Sequence, residues 1–141
     1  FMPLWERHFP GFRVPDAVFR EVCAVEDASD PAKRWLEESK EKDLVFKVPD
    51  IPPPIQAWDL GAGESEVLAA VPQLLDGWAV LDDLAARRCA GSMGIPVIGT
   101  VGLVFKVHQL DPDFDPKGAL TSLQRAGLYL PRALIARWLE P

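Results

Sequence analysis

The chain has 141 residues, of which 48% are hydrophobic and 26% are charged, and its net charge is -6. This length suits one domain with one hydrophobic core, and the composition excludes a chain that is disordered throughout. The acidic balance excludes general electrostatic adhesion to nucleic acid, although residues 84–141 hold 7 basic and 4 acidic residues and are mildly basic by themselves.

The first third of the chain predicts a short extended piece and two helices. Pro15 at the first position and Asp16 in the first turn indicate where the first helix begins. Glu21 lies on the flank of this helix. Its apolar face is formed by Val18, Val22 and Val25. Residues 28–43 predict a second helix, capped by Ser29 or Asp30.

The middle of the chain predicts strands that alternate with helices. Residues 43–48 are strand-like, and the proline-rich residues 49–56 predict a turn or an extended connector. A helix follows from about Glu64, with Pro72 interrupting it. Its apolar stripe consists of Val67, Leu68, Val71, Leu74 and Leu75.

Two short apolar runs, residues 77–83 and 95–100, have the pattern of buried parallel strands, and a helix of about three turns separates them. Residues 100–110 favour a helix, although their β-branched side chains leave a strand open. Two closing helices follow a polar loop. This order indicates an α/β domain with a mostly parallel sheet.

The cysteines and the apolar runs bear on the cellular compartment. Cys23 and Cys89 lack the spacing of a metal site, and both are expected to be small buried hydrophobic residues of a reduced protein. No run approaches the roughly 20 apolar residues that span a bilayer, and no secretory signal opens the chain. We therefore expect a cytoplasmic protein without membrane association.

Two acidic residues lie at the start of the helix in the middle of the chain. At about 100° per residue, Glu64 falls within the apolar stripe, whereas Glu66 points well away from it. A carboxylate in that position either interacts with the helix dipole or belongs to a site at the edge of the sheet.

Asp82 and Asp83 end the apolar run that starts at Trp78, so they are expected at the carboxyl end of a parallel strand, where ligands bind. Adjacent residues at a strand end point to opposite sides. One aspartate is therefore expected to face the site, and the other to cap the next helix. Asp83 has an alternative partner in Arg87, four residues further on.

Carboxylates on separate elements are what a Mg²⁺ or Mn²⁺ site needs, because these hard ions take oxygen ligands and keep positions open for water and phosphate. Glu21, Glu64 and one of the two aspartates are the candidates. Spacing alone leaves open whether they converge.

Four blocks of the sequence together resemble an uncharacterised family of PIN-like domains, predicted to bind nucleic acid. The middle block is the most specific, with Gly-Glu opening a helix, Asp-Asp followed by Ala-Arg, and then Gly-x-Pro-Val-x-Gly-Thr-x-Gly. The blocks are VPDAVFREV, LGAGESEVLAA, VLDDLAARRCAGSMGIPVIGTVGLVFK and LTSLQRAGLYLPRALIARWLE.

The resemblance implies a PIN-like, Rossmann-like fold over residues 1–141, a three-layer domain with a central mostly parallel sheet flanked by helices. It also implies a ribonuclease dependent on Mg²⁺ or Mn²⁺, acting as the toxin of a toxin–antitoxin pair, with RNA, an antitoxin protein and a second copy as partners. The implied metal ligands are Glu21, Glu64 and Asp83, with Glu66 as the alternative to Glu64 for the acid of the central helix. Asp82 is implied as a further catalytic acid and Arg87 as the residue that contacts phosphate.

The sequence departs from the family at its first strand, which normally ends in an aspartate and lies ahead of the residues present here. A smaller departure is Leu84, where a basic residue is common. These departures favour an alternative, a catalytically degenerate PIN-like domain that binds nucleic acid or a protein. A phosphoacceptor receiver domain is disfavoured, because residues 95–100 offer no carboxylate as the acceptor.

Overall fold

The computed structural model describes residues 7–39 and 43–138. Strands and helices alternate through the first two thirds of this part, and helices complete it, so the predicted α/β class is confirmed. The elements include β1 (Val14–Pro15), α1 (Asp16–Cys23), α2 (Pro31–Ser39), β2 (Val45–Phe46), α3 (Pro53–Gln56), α4 (Ala62–Ala70), a 3-10 turn (Val71–Gln73), β3 (Ala79–Val80), α5 (Leu84–Ser92), β4 (Val97–Ile98), α6 (Thr100–Leu110), α7 (Pro116–Arg125) and α8 (Arg132–Trp138).

The strands pair in parallel, as predicted, but each ladder is short. Val14 of β1 lies opposite Val45 of β2, and Ala79 of β3 lies opposite Val97 of β4. Within the described residues these pairs form two separate two-stranded sheets. Prolines contribute to this shortness, since Pro15 in β1 and Pro96 just before β4 have no amide proton to donate to a ladder.

The main hydrophobic core lies between α4, α5, β3 and β4. Leu68, Cys89 and Ala79 are fully buried there, as is Ile55 of the one-turn helix α3. The proline-rich segment therefore contributes a core side chain through this helix, in addition to connecting β2 to α4. A second apolar cluster joins α6 and α7 to the chain before α8. Its fully or nearly fully buried members are Val104, Leu120 and Leu130.

The helix in the middle of the chain ends earlier than its predicted apolar stripe. α4 stops at Ala70, and Pro72 lies in the 3-10 turn that follows. The predicted burial of Leu74 and Leu75 is therefore wrong, since their exposed fractions are 44% and 95%. Once the helical twist is lost, residues after the proline no longer follow the helical periodicity.

The other helices agree with the sequence pattern in position, but α1 ends at Cys23, so the place of Val25 on its apolar face is wrong and Val25 is 43% exposed. Asp30 caps α2, because its Oδ1 accepts a hydrogen bond from the Lys33 amide at 2.9 Å; residues 40–42 of the predicted helix lie outside the described residues. The segment that could be helix or strand is the helix α6, which has 11 residues. None of the helices in the described ranges combines the length and the hydrophobicity needed to cross a membrane.

Candidate active site

Helices α1 and α4 run antiparallel and cap each other. Glu21 Oε1 on α1 accepts a hydrogen bond from the Gly63 amide at 2.9 Å, and Glu66 Oε2 on α4 accepts one from the Ala17 amide at 2.8 Å. Both amides belong to the first turn of their helix, where no carbonyl of the same helix can accept from them. Each glutamate therefore supplies a missing acceptor and places negative charge at a positive helix end.

Gly63 allows this approach because it has no side chain. A Cβ atom at Gly63 would lie 2.8 Å from Glu21 Oε2, closer than such contacts occur. The next residue, Glu64, also lies in the first turn of α4, and its carboxylate folds back over Gly61. Two predicted site acids, Glu21 and Glu64, thus come from separate helices to the same end of α4.

Glu66 has a structural role. The prediction that it points away from the packed side of the helix is wrong, since it is half-buried and hydrogen-bonded to α1. The prediction assumed that only one side of α4 is packed, whereas α4 contacts several elements at once. These are α1, α3, α5, β1 and β3.

The two aspartates after β3 have different partners. Asp83 is the N-cap of α5, with its Oδ1 accepting from the Ala86 amide at 2.8 Å. Asp82 Oδ1 accepts from the Thr100 amide at 2.8 Å, and its Oδ2 accepts from the Thr100 hydroxyl. Asp82 therefore connects the end of β3 to the start of α6.

Arg87 on α5 reaches toward Asp82. A Cβ atom at Gly99 would lie 2.6 Å from Arg87 Nη1 and 3.0 Å from Asp82 Oδ1, so both side chains border this glycine. Within the described ranges neither Asp82 nor Asp83 forms an ion pair with Arg87. Arg87 as a whole is exposed, and its Nη1 lies against Gly99.

Sequence reasoning gave no role to Gly99 or Thr100, although both follow the apolar run that forms β4. The available signal was their position: they end a predicted parallel strand, just as the aspartate pair does. In a parallel sheet, residues after neighbouring strands meet at the same edge.

Comparison with family models shows which family the chain belongs to. The family model DUF3368, described as a PIN domain, matches residues 2–141. The chain belongs to the PIN domain family. The resemblance inferred from the sequence is thereby confirmed, and with it a nuclease-like fold. Searches among curated proteins and among solved structures gave no significant match.

PIN domains generally depend on divalent metal ions, and this PIN domain carries several carboxylates near the ends of its helices and strands. Their oxygen atoms are suitable donors for a hard ion. Their supporting elements are also adjacent, since α1 packs on α4 and α4 packs on β3. Yet no three His, Cys, Asp or Glu side chains converge on a metal position within residues 7–39 and 43–138.

In this PIN domain the carboxylate oxygens therefore suit a hard divalent ion, whereas most of the side chains already accept hydrogen bonds from other groups. Glu21 and Asp83 accept from backbone amides, and Asp82 accepts from Thr100. To share one ion, carboxylates would have to turn from their present positions. Residues 1–6 lie outside the described residues.

Proposed function

We propose that this PIN domain is a metal-dependent ribonuclease that hydrolyses RNA phosphodiester bonds. The observation that supports this most is the hydrogen bond from the Gly63 amide to Glu21, which brings Glu21 beside Glu64 at the amino end of α4. The same helix packs against β3, after which Asp82 and Asp83 follow.

In this proposal Glu21, Glu64 and one of the two aspartates hold Mg²⁺ or Mn²⁺. When bound, such an ion supplies Lewis-acid activation of a water molecule and stabilises negative charge on the phosphate. Asp82 is the better placed aspartate, because it borders Gly99 together with Arg87, whereas Asp83 caps α5. Arg87 holds the substrate phosphate through its guanidinium group.

The experiment compares cleavage of a labelled RNA by the purified protein, Asp82→Asn and Asp83→Asn, in Mn²⁺ and in EDTA. We expect EDTA to stop cleavage and Asp82→Asn to lower it at least about 100-fold, since the loss of an outer-shell partner alone costs about 10- to 100-fold at a metal site. Asp83→Asn keeps an N-cap, since asparagine caps helices well, so its cleavage stays near the wild-type rate. Metal-dependent cleavage unchanged by Asp82→Asn would remove this aspartate from the site.

A second candidate is a PIN domain that binds nucleic acid or a protein without catalysis. It is favoured by the hydrogen bonds that already occupy Glu21 and Asp83 and by the lack of a three-ligand cluster among the described residues. It predicts RNA binding without cleavage and no rise in melting temperature with Mg²⁺. A metal-dependent rise that Asp82→Asn abolishes would contradict it.

We further propose that the protein acts in the cytoplasm as the toxin of a toxin–antitoxin pair and that it forms a homodimer. Support for a protein partner comes from exposed apolar side chains next to β3. Leu75 and Trp78 are 95% and 62% exposed. Large exposed apolar side chains that lie close together are typical of interaction surfaces.

The test of these partners has two parts. Light scattering should give a dimer mass that Trp78→Ser reduces to a monomer, and a monomeric wild-type protein would reject the dimer. Induced expression should arrest growth, and Glu64→Gln should relieve the arrest. Growth unaffected by the wild-type protein would reject the toxin role.

A further inference from the structure

Beside Asp82 lies a cleft of about 470 Å³, within the range of about 300–1,000 Å³ typical of ligand sites. Its floor is the end of β4 and the first turn of α6, and its walls come from α5 and the chain between α7 and α8. The lining residues that matter here are Asp82, Arg87, Ile98, Gly99, Gly102 and Tyr129.

Two of the residues that line the cleft are glycines, and neighbouring side chains pack closely against both. A Cβ atom at Gly102 would lie 2.9 Å from Ile98 Cγ1, so this glycine lets α6 pack closely on β4. A Cβ atom at Gly99 would displace the Arg87 guanidinium group. The glycine thus lets the Arg87 and Asp82 side chains lie directly against the backbone at Gly99, which places both of them at the cleft.

Tyr129 is held at the rim by an ordered turn. The Leu128 amide donates to the Leu123 carbonyl at 3.0 Å and the Gly127 amide to the Gln124 carbonyl at 3.0 Å, a Schellman motif in which Gly127 has a φ of 98°. Leu128 packs in the second apolar cluster, and Leu130 is buried there.

Tyr129, between these two anchored leucines, is 82% exposed. The fold thus fixes the backbone on either side of an aromatic ring and leaves the ring in solvent. Exposed aromatic rings beside a cation are how proteins bind unpaired bases, because every base has a face that can stack and a phosphate that pairs with Arg or Lys.

We propose that this cleft binds one nucleotide of single-stranded RNA, with the base stacked on Tyr129 and a phosphate held by Arg87. This inference rests on the proposed function, because it places the nucleotide next to Asp82, one of the acids proposed to act in cleavage. The carboxyl-terminal part of the protein, residues 84–141, supplies the positive balance that RNA requires, with 7 basic and 4 acidic residues.

The test measures the affinity of the full chain for a labelled oligoribonucleotide by fluorescence anisotropy in EDTA, so that no cleavage occurs. We expect Tyr129→Ala to weaken binding about tenfold and Tyr129→Phe to bind like the wild-type protein, since stacking needs the ring alone. Arg87→Ala should weaken binding as well. The matched controls are Arg88→Ala, the neighbouring exposed arginine outside the cleft, and Leu110→Ala, an exposed side chain at the end of α6.

An oligomer of the same length without bases separates stacking from charge. Wild-type protein and Tyr129→Ala should bind it equally, whereas Arg87→Ala should bind it more weakly. Equal affinity of Tyr129→Ala and the wild-type protein for the intact RNA would overturn the inference, and so would a wild-type protein that does not bind RNA.

The outcomes also separate this inference from the proposed function. If the protein cleaves RNA and Tyr129→Ala binds and cleaves RNA as the wild-type protein does, the nucleotide subsite is wrong and the proposed nuclease activity stands. If no metal supports cleavage but binding depends on Tyr129, the subsite stands and the nuclease is wrong.

Discussion

Glu66 on α4 accepts a hydrogen bond from the Ala17 amide of α1 at 2.8 Å, and so caps a helix 49 positions away in the sequence. About one helical turn away, Glu21 on α1 accepts a hydrogen bond from the Gly63 amide of α4. The two caps fix the relative position of α1 and α4. The two acids of α4 therefore differ in role. Glu66 stabilises the fold, whereas Glu64 has no hydrogen bond to another helix in the described structure.

Replacing Glu66 with alanine should lower the free energy of unfolding by about 1 kcal/mol, the usual effect of losing an N-terminal cap. Glu66→Gln should lower it less, since the amide oxygen can still accept from Ala17. Glu37→Ala, an exposed change on α2, is the control and should stay within about 0.5 kcal/mol. Urea denaturation measures the free energy of unfolding of all three variants. A wild-type value for Glu66→Ala would show that the cap contributes nothing to stability.

Glu21 has a structural and a proposed catalytic role, which two substitutions separate. Glu21→Gln keeps an oxygen acceptor for Gly63, so we expect stability close to that of the wild-type protein but RNA cleavage about 100-fold lower. Glu21→Ala should lose both stability and cleavage. Cleavage at the wild-type rate by Glu21→Gln would show that Glu21 has a structural role only.

Gly99→Ala should impair function more than folding. Its φ of -87° suits alanine, but the added Cβ atom would lie 2.6 Å from Arg87 Nη1 and displace that flexible group. We expect a stability change of about 1 kcal/mol or less and cleavage reduced at least about tenfold, because small displacements in a site are costly.

The control for this change is Gly91→Ala in α5, where no atom lies within 4 Å of the added Cβ. It should raise the free energy of unfolding by about 0.5 to 1 kcal/mol, since alanine favours a helix over glycine, and leave cleavage unchanged. Thermal denaturation and initial rates measure both variants. Equal cleavage by Gly99→Ala and Gly91→Ala would contradict the role given to Arg87.

Local patterns predicted most of the elements. The strands were recognised from short apolar runs, and β3 and β4 pair in parallel as expected. The burial predicted for them is wrong in part, since Val80 is exposed and Val97 and Ile98 are half-buried. The helix start at Asp16 and the cap at Asp30 also follow from local chemistry. Pro72 was recognised as an interruption, yet the burial expected for Leu74 and Leu75 ignored its consequence.

Contacts between distant segments could not be predicted in the same way. The roles of Glu66 and Glu21 depend on how α1 packs against α4, and helical periodicity within one segment carries no information about that packing. Thr100 was missed for the same reason, because its partner Asp82 belongs to another strand end. The acidic residues of the candidate site could be identified from their residue type, but their hydrogen-bond partners could be identified only in the folded structure.

Cys89 is fully buried, and burial raises the pKa of its thiol, because the charged thiolate loses its hydration. At pH 8 the folded protein therefore holds less thiolate than the unfolded chain. In a Cys23→Ser background, a disulfide reagent should react with Cys89 only after urea is added. Rapid and complete reaction of the native protein would contradict this burial.

The most direct test of the account is the initial rate of Mn²⁺-dependent RNA cleavage by Glu64→Gln and Glu66→Gln. The two residues lie two positions apart on α4, and each keeps its shape in the substitution. We expect Glu64→Gln to lose about 100-fold in rate with an unchanged unfolding midpoint, and Glu66→Gln to cleave RNA at close to the wild-type rate despite a lower midpoint. Wild-type cleavage by Glu64→Gln, or a wild-type protein that cleaves no RNA in Mn²⁺, would contradict the account.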